Sequence, residues 1–140
     1  MPIAGIDFGR RRIGLAISDG YGAYPLGIME RRSLKRDLEA IRSLLAEREV
    51  SLIVVGLPLN MDGTEGPSAR AARAFAEHLG SATGVAVEMF DERLSSVEAE
   101  ERLREASASR AAKKASRDAV AAAVILEGWL ESHPPEPTSR

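Results

Sequence analysis

Hydrophobic and polar residues alternate along the first thirty positions of the chain, and this alternation predicts β-strands. The pattern fits residues 2–8, 12–18 and 23–30, with a tight basic turn at 9–12 between the first two strands. Three consecutive strands joined by short connections predict an antiparallel meander. Pro25 removes a backbone donor from the third strand, so we expect that strand at an edge of the sheet.

Helical and strand patterns alternate in the middle of the chain. Apolar residues recur every three or four positions over 34–48, which predicts a helix, and Pro67 can open a second one. Residues 51–58 form a continuous apolar run, as expected of a parallel strand covered on both faces. Residues 85–90 predict a further strand.

Two more helices are predicted near the end of the chain. The sequence "SSVE" at 95–98 is a capping box, and Ser116 is a candidate N-cap for a final helix over 117–131. The order β-β-β-α-β-α-β-α-α predicts an α/β fold with a mixed sheet and helices on its faces. We expect one domain over residues 1–131, followed by a disordered tail over 132–140.

Asp7 lies within the first predicted strand, although an acid is poorly suited to a strand and costly to bury unpaired. If residues 9–12 form the turn, Asp7 faces Gly14 and shares its side of the sheet with Gly5 and Ala16. These small neighbours leave space above the carboxylate, which suits a ligand. The alternatives are an ion pair with an arginine, or an acid that starts the turn.

Further acids occur where the predicted strands and helices would meet. Asp91 and Glu92 follow the strand at 85–90, and Asp118 lies on the buried stripe of the last helix. Each could instead complement the dipole of a helix N-terminus. Three carboxylates from distant segments form a hard-oxygen site suited to Mg²⁺ or Mn²⁺, and paired ions of this kind support phosphodiester cleavage.

Composition and charge narrow the possible functions. The chain of 140 residues contains no Cys, which excludes disulfides and thiolate chemistry, and its net charge of −2 does not by itself indicate nucleic-acid binding. Basic residues nevertheless cluster at 10–12, 31–36 and 110–117. No apolar run approaches the roughly 18 residues that span a bilayer, and no signal peptide is evident, so we expect a cytoplasmic protein without membrane contact.

Four segments, spread over nearly the whole chain, resemble the YqgF (RuvX-like) family of the RNase H-like nuclease superfamily. They are "GIDFGRRRIGLAISD" (5–19), "IVVGLPLNMDGTEG" (53–66), "DERLSSVEAE" (91–100) and "KKASRDAVAAAVILEGWL" (113–130). The resemblance implies an RNase H-like mixed five-stranded sheet, with a three-strand antiparallel meander plus two parallel strands. It also implies a divalent-metal nuclease that resolves Holliday junctions or matures the 5′ end of pre-16S ribosomal RNA.

Carried over by position, the resemblance makes Asp7, Glu92 and Asp118 both the catalytic acids and the ligands of Mg²⁺ or Mn²⁺, with two ions expected. Asp91 is set aside because adjacent residues after a strand point in different directions. Where the family has a Thr-Lys pair, this chain has Arg10 and Arg11, which keeps the charge but loses a hydroxyl. The expected nucleic-acid-binding residues are Arg10, Arg11, Arg12, Asn60, Thr64, Arg93, Lys113, Lys114 and Arg117.

The expected partner is structured nucleic acid, either precursor ribosomal RNA or branched DNA, with ribosomal particles as a further candidate. The protein is expected to be a monomer or a homodimer, because a resolvase has to cut two strands symmetrically. Two other classes of function remain open at this point. One is a nucleotide-binding module of the actin and sugar-kinase type, and the other is a non-catalytic RNA- or ribosome-binding factor.

Overall fold

The computed structural model describes residues 2–95, 101, 103, 105 and 114–134. Five strands, a short 3₁₀ helix and three longer helices lie in this part of the chain, and residues 101, 103 and 105 are also helical. In chain order the elements are β1 (Ile3–Phe8), β2 (Arg12–Ser18), β3 (Ala23–Glu30), α1 (Leu34–Glu47), β4 (Leu52–Leu57), α2 (Pro67–Thr83), β5 (Ala86–Asp91), the 3₁₀ helix Glu92–Leu94 and α3 (Lys114–Ser132).

The strands form one mixed sheet in the order β3-β2-β1-β4-β5. Strands β1, β2 and β3 are antiparallel neighbours, whereas β4 runs parallel to both β1 and β5. The predicted α/β architecture, three antiparallel strands plus two parallel ones, is therefore confirmed. Strand β3, which contains Pro25, lies at an edge of the sheet as expected.

Helices cover both faces of the sheet. Helices α1 and α2 pack on one face, where Ile6, Ile13 and Leu15 are buried with Ile41 and Leu79. Helix α3 packs on the opposite face. Strand β4 lies between the two layers with five of its six residues buried, which explains its continuous apolar sequence. No helix in the described ranges is long and apolar enough to cross a membrane.

The end of the chain differs in part from the prediction. Helix α3 already includes Ser116, so Ser116 is not its N-cap; the preceding Lys114 and Ala115 are strong helix formers that continue the helix. The capping box at 95–98 extends beyond the described residues. In the predicted tail, Ser132 still belongs to α3 and His133 stacks on Trp129 at 4.2 Å between ring centroids, while residues 135–140 lie outside the described part.

Candidate active site

Asp7 lies on the face of β1 that α3 covers. The observed register pairs Asp7 with Gly14 and Phe8 with Ile13, as the sequence predicted. A Cβ atom at Gly14 would lie 2.0 Å from the backbone carbonyl oxygen of Asp118 in α3. The helix therefore passes directly over Gly14, and this close approach brings Asp118 beside Asp7.

Glu92 approaches from the other side, over strand β4. Its carboxylate lies above Gly56, where a Cβ atom would be 2.6 Å from Oε2 of Glu92. Gly56 is one residue beyond Val55, which pairs with Ile6 of β1, so it lies next to Asp7 on the sheet. We did not single out Gly56 from the sequence. A glycine inside an otherwise apolar strand is a signal of close approach, and it could have identified this position.

The environment of Asp7 and Glu92 disfavours two negative charges. Burial, with the negative charge of Asp118 adding to it, raises the pKa of Asp7 from 3.8 to about 6. Burial, together with the charges of Asp7 and Asp91, raises the pKa of Glu92 from 4.5 to about 7. Among the described residues, neither side chain has a hydrogen bond or an ion pair. The alternative in which an arginine pairs with Asp7 is therefore not what the structure shows.

Asp91, the neighbour of Glu92, has a different environment. Its carboxylate accepts a hydrogen bond from the backbone N–H of Arg93 and forms an ion pair with the Arg93 guanidinium at 2.8 Å. The hydrogen bonds from Arg93 hold the pKa of Asp91 below its usual value. Asp91 thus caps the 3₁₀ helix, while the side chain of Glu92 points toward Gly56 and Asp7.

Asp118 is the one catalytic candidate with a cationic partner in the described part of the chain. Its Oδ2 lies 3.4 Å from Nη1 of Arg12, and Nε of Arg12 lies 3.4 Å from Oε2 of Glu30. Within the described residues, no group of three or more His, Cys, Asp or Glu side chains is arranged to hold a metal ion. The acids share one region, but the structure shows them without the tight convergence of a formed three-carboxylate metal centre.

Asp7 and Glu92 line a pocket of ≈ 280 Å³ together with two arginines. Arg10 lines this pocket from the β1–β2 turn. Arg31 follows β3 and donates from Nη1 to the carbonyl oxygens of Gly9 and Arg10, both at 2.9 Å. Two of the basic clusters found in the sequence therefore meet beside the acids. Arg31 was only one member of a cluster in the sequence, and its contact with the turn depends on the pairing of distant strands.

The loop at 58–66 lies beside this pocket and is held by its own side chains. Asn60 donates from Nδ2 to Oγ1 of Thr64 at 2.9 Å, and Thr64 donates to Oδ1 of Asp62 at 2.7 Å. Arg93 donates from Nη1 to the backbone carbonyl of Met61 at 3.1 Å, which ties the loop to the end of β5. These contacts shape the loop, and binding of nucleic acid by Asn60, Thr64 or Arg93 stays a prediction.

The remaining predicted contacts fall at or beyond the limits of the described residues. Arg11 is exposed in the β1–β2 turn, where it could meet a ligand. Lys113 lies outside the described part of the chain, as do the side chains of Lys114 and Arg117. Ser96, in the matching segment 91–100, also lies outside it.

Comparison with known proteins places the chain among nucleases. A curated protein of Anaeromyxobacter sp. (strain Fw109-5), named "Putative pre-16S rRNA nuclease", is 56% identical over 133 residues, which cover 94% of this chain and 97% of the relative. A protein of Myxococcus xanthus with the same name is 50% identical over 140 residues, covering 99% of this chain and 93% of the relative. These relatives match nearly the whole length of the chain.

Structural and family comparisons agree with this assignment. The structure described as "T. thermophilus RuvC in complex with Holliday junction substrate" has a TM-score of 0.61 over 95% of this chain and 96% of that one. At 15% identity it supports the RNase H-like fold alone. The model of the RuvX family, described as Holliday junction resolvase, matches residues 1–132. The chain therefore belongs to the RuvX family, whose members are hydrolases that act on the phosphodiester bonds of nucleic acid.

Proposed function

We propose that this chain is a divalent-metal-dependent endonuclease of structured nucleic acid, with Asp7, Glu92 and Asp118 as its catalytic acids. The observation that carries the proposal is the pocket in which Asp7 and Glu92 stand half-buried without a cationic partner in the described structure. Such a pair of carboxylates is unfavourable unless a proton or a cation compensates it. Arginines at the rim provide the complementary charge for a phosphate backbone.

The donor set fits a hard divalent cation such as Mg²⁺ or Mn²⁺ in its chemistry, since it consists of carboxylate oxygens. Asp7 and Glu92 would hold such an ion from the pocket, and Asp118 would join them from α3. When bound, the metal would activate water and stabilise the leaving oxygen in phosphodiester hydrolysis. Asp118 is engaged with Arg12, so a three-carboxylate set requires a change at that ion pair.

We propose that Arg10 and Arg11 contact substrate phosphates, because both are exposed in the turn that follows Asp7. Arg31 orients this turn through the carbonyl oxygens of Gly9 and Arg10. Asn60 and Thr64 of the loop at 58–66 remain expected contacts, and substrate would have to compete with the bonds that their side chains and backbone N–H groups already make within the loop. Lys113, Lys114 and Arg117 remain expected contacts that approach from the side of Asp118.

We place precursor 16S ribosomal RNA first among substrates. The relatives with 50–56% identity are named "Putative pre-16S rRNA nuclease", whereas the solved RuvC complex shares only the fold with this chain. A Holliday junction is the second candidate, which the description of the family model supports. Action on precursor RNA implies a cytoplasmic protein that meets ribosomal particles and works as a monomer, whereas resolution of a junction implies a homodimer.

The test compares cleavage of a precursor 16S RNA carrying its 5′ leader with cleavage of a synthetic four-way DNA junction. Both substrates are incubated with Mg²⁺, with Mn²⁺ or with EDTA. We expect metal-dependent cleavage by the wild type and loss of cleavage by at least about a hundredfold in Asp7→Asn and Glu92→Gln, as for removal of other central catalytic groups. Asp19→Asn is the matched control, because Asp19 is exposed in the turn after β2, away from the pocket.

The results distinguish the competing functions. Equal activity of Asp7→Asn and wild type would show that the acids are wrongly assigned. Tight RNA binding without cleavage in any metal would instead support the non-catalytic RNA- or ribosome-binding function. Symmetric cleavage of the junction by a dimer, with no cleavage of precursor RNA, would reverse the order of the two substrates.

A further inference from the structure

Arg12 distinguishes Asp118 from the other two acids of the site. Nη1 of Arg12 lies 3.4 Å from Oδ2 of Asp118, whereas Asp7 and Glu92 have no cationic partner among the described residues. The contact joins the start of β2 to α3, elements that are 106 positions apart in sequence. One acid of the expected metal site is thus already occupied by a positive charge of the protein itself.

Arg12 can move away from Asp118 at a small cost in free energy. Arg12 pairs with Glu30 across the β2–β3 ladder, and its Nε lies 3.4 Å from Oε2 of Glu30. Both contacts are at the long end of hydrogen-bond geometry, and the Arg12 side chain is 28% exposed. If the contact with Asp118 opens, Glu30 and water continue to compensate the guanidinium.

We propose that Arg12 is the internal counter-cation of Asp118, which an incoming divalent cation has to displace before Asp118 can bind it. Arg12 is therefore a positioning residue that lowers the metal affinity of the site. This inference rests on the metal site proposed above. It also gives a physical reason why the described acids do not form a ready three-carboxylate cluster: the guanidinium holds Asp118 toward β2.

The inference predicts a gain of metal affinity when Arg12 is neutralised. A partly exposed ion pair is worth about 0.2–1 kcal/mol, which corresponds to a change of about 1.4- to fivefold in a dissociation constant. We expect Arg12→Gln to bind Mn²⁺ about 1.4- to fivefold more tightly than the wild type. Arg12→Met keeps the aliphatic stem and serves as a second variant, with the same expected result.

The experiment is calorimetric titration of the folded protein with Mn²⁺ in the absence of nucleic acid. Arg10→Gln is the matched control, because it removes the same charge from the β1–β2 turn next to Arg12, and Arg10 has no ion pair with Asp118 in the described part of the chain. It reports the general effect of losing one positive charge. The Arg12 substitution is also made in the Asp118→Asn background. Residue 118 then cannot form an ion pair with Arg12, so the specific effect of the Arg12 substitution on Mn²⁺ affinity should disappear.

The outcomes separate this inference from the proposed function. Weaker Mn²⁺ binding by Asp7→Asn supports the proposed metal site. The role of Arg12 is supported as well if Arg12→Gln gains more affinity than Arg10→Gln and if this gain vanishes in the Asp118→Asn background. Unchanged or weaker binding by Arg12→Gln, or a gain equal to that of Arg10→Gln, overturns the role of Arg12 but leaves the metal site intact. A gain that persists with Asp118→Asn also overturns it. Absence of Mn²⁺ binding in wild type and in both Arg12 variants refutes the metal site and the role of Arg12 together.

Discussion

Replacement of Asp7 by Asn should stabilise the protein in a manner that depends on pH. Burial and the charge of Asp118 raise the pKa of Asp7 from 3.8 to about 6 in the folded state. Between these two values the folded protein binds more protons at this site than the unfolded chain does. The free energy of unfolding of the wild type therefore falls as the pH rises through this window, and the contribution is lost above the folded pKa.

The size of the effect follows from the shift. The rise of the Asp7 pKa from 3.8 to about 6 means that ionised Asp7 destabilises the folded wild type by about 3 kcal/mol at about pH 8. Asn removes the charge but leaves a half-buried amide where Asp7 has no hydrogen-bond partner among the described residues, which costs about 1–2 kcal/mol. We expect a net gain of about 1–2 kcal/mol at about pH 8. Because the charge of Asp7 also raises the pKa of Glu92, loss of that charge acts in the same direction.

Urea unfolding in the presence of EDTA measures this gain. Trp129, the single tryptophan, lies in α3 and donates to Glu88 at 2.9 Å, so its fluorescence reports on the attachment of this helix to β5. The advantage of Asp7→Asn should shrink steadily toward pH 4, while Asp19→Asn, at an exposed acid with a lowered pKa, should show no gain. Equal stability of Asp7→Asn and wild type at about pH 8, or a gain of constant size at every pH, would contradict the reasoning.

Two further predictions concern the glycine beneath α3 and the binding of metal. Gly14→Ala should destabilise the protein by about 1–3 kcal/mol or more, because the added Cβ atom would overlap the carbonyl oxygen of Asp118 and displace α3. Thermal unfolding measures this loss. Gly27→Ala is the matched control, because a Cβ atom at Gly27 would have no other atom within 4 Å. Mn²⁺ at a hundredfold excess over its dissociation constant should stabilise the wild type by about 2.7 kcal/mol, and this stabilisation should be lost in Asp7→Asn and Glu92→Gln. Equal stabilisation of all three proteins would place the ion elsewhere.

Local pattern was sufficient to predict the first hairpin in detail. The pairing of Asp7 with Gly14 follows from one assumption about the turn and from the alternation of side chains between the two faces of a sheet. The same alternation places Asp7 on the face opposite Ile6 and Ile13, as observed. The register of a tight hairpin is determined by residues that are close together in sequence, so it can be predicted from the sequence alone.

The contacts between distant elements could not be derived in this way. The ion pair of Arg12 with Asp118 depends on where α3 crosses the sheet, and Arg12 was expected to meet nucleic acid instead. The role of Gly56 depends on the path of the chain after β5, which carries Glu92 back over β4. Ser116 was misassigned as an N-cap because a favourable capping residue is also tolerated inside a helix.

The features that destabilise the site also favour a cation there. Gly14 and Gly56 flank Asp7 on the neighbouring strands, and the space they leave admits the backbone of α3 on one side and the carboxylate of Glu92 on the other. Larger residues at these positions would separate the acids and relieve their repulsion. A divalent cation bound as proposed would remove the same repulsion, so part of its binding free energy would come from electrostatic strain that is present in the metal-free fold. The stability gained by Asp7→Asn and the metal affinity that it loses should therefore have the same origin.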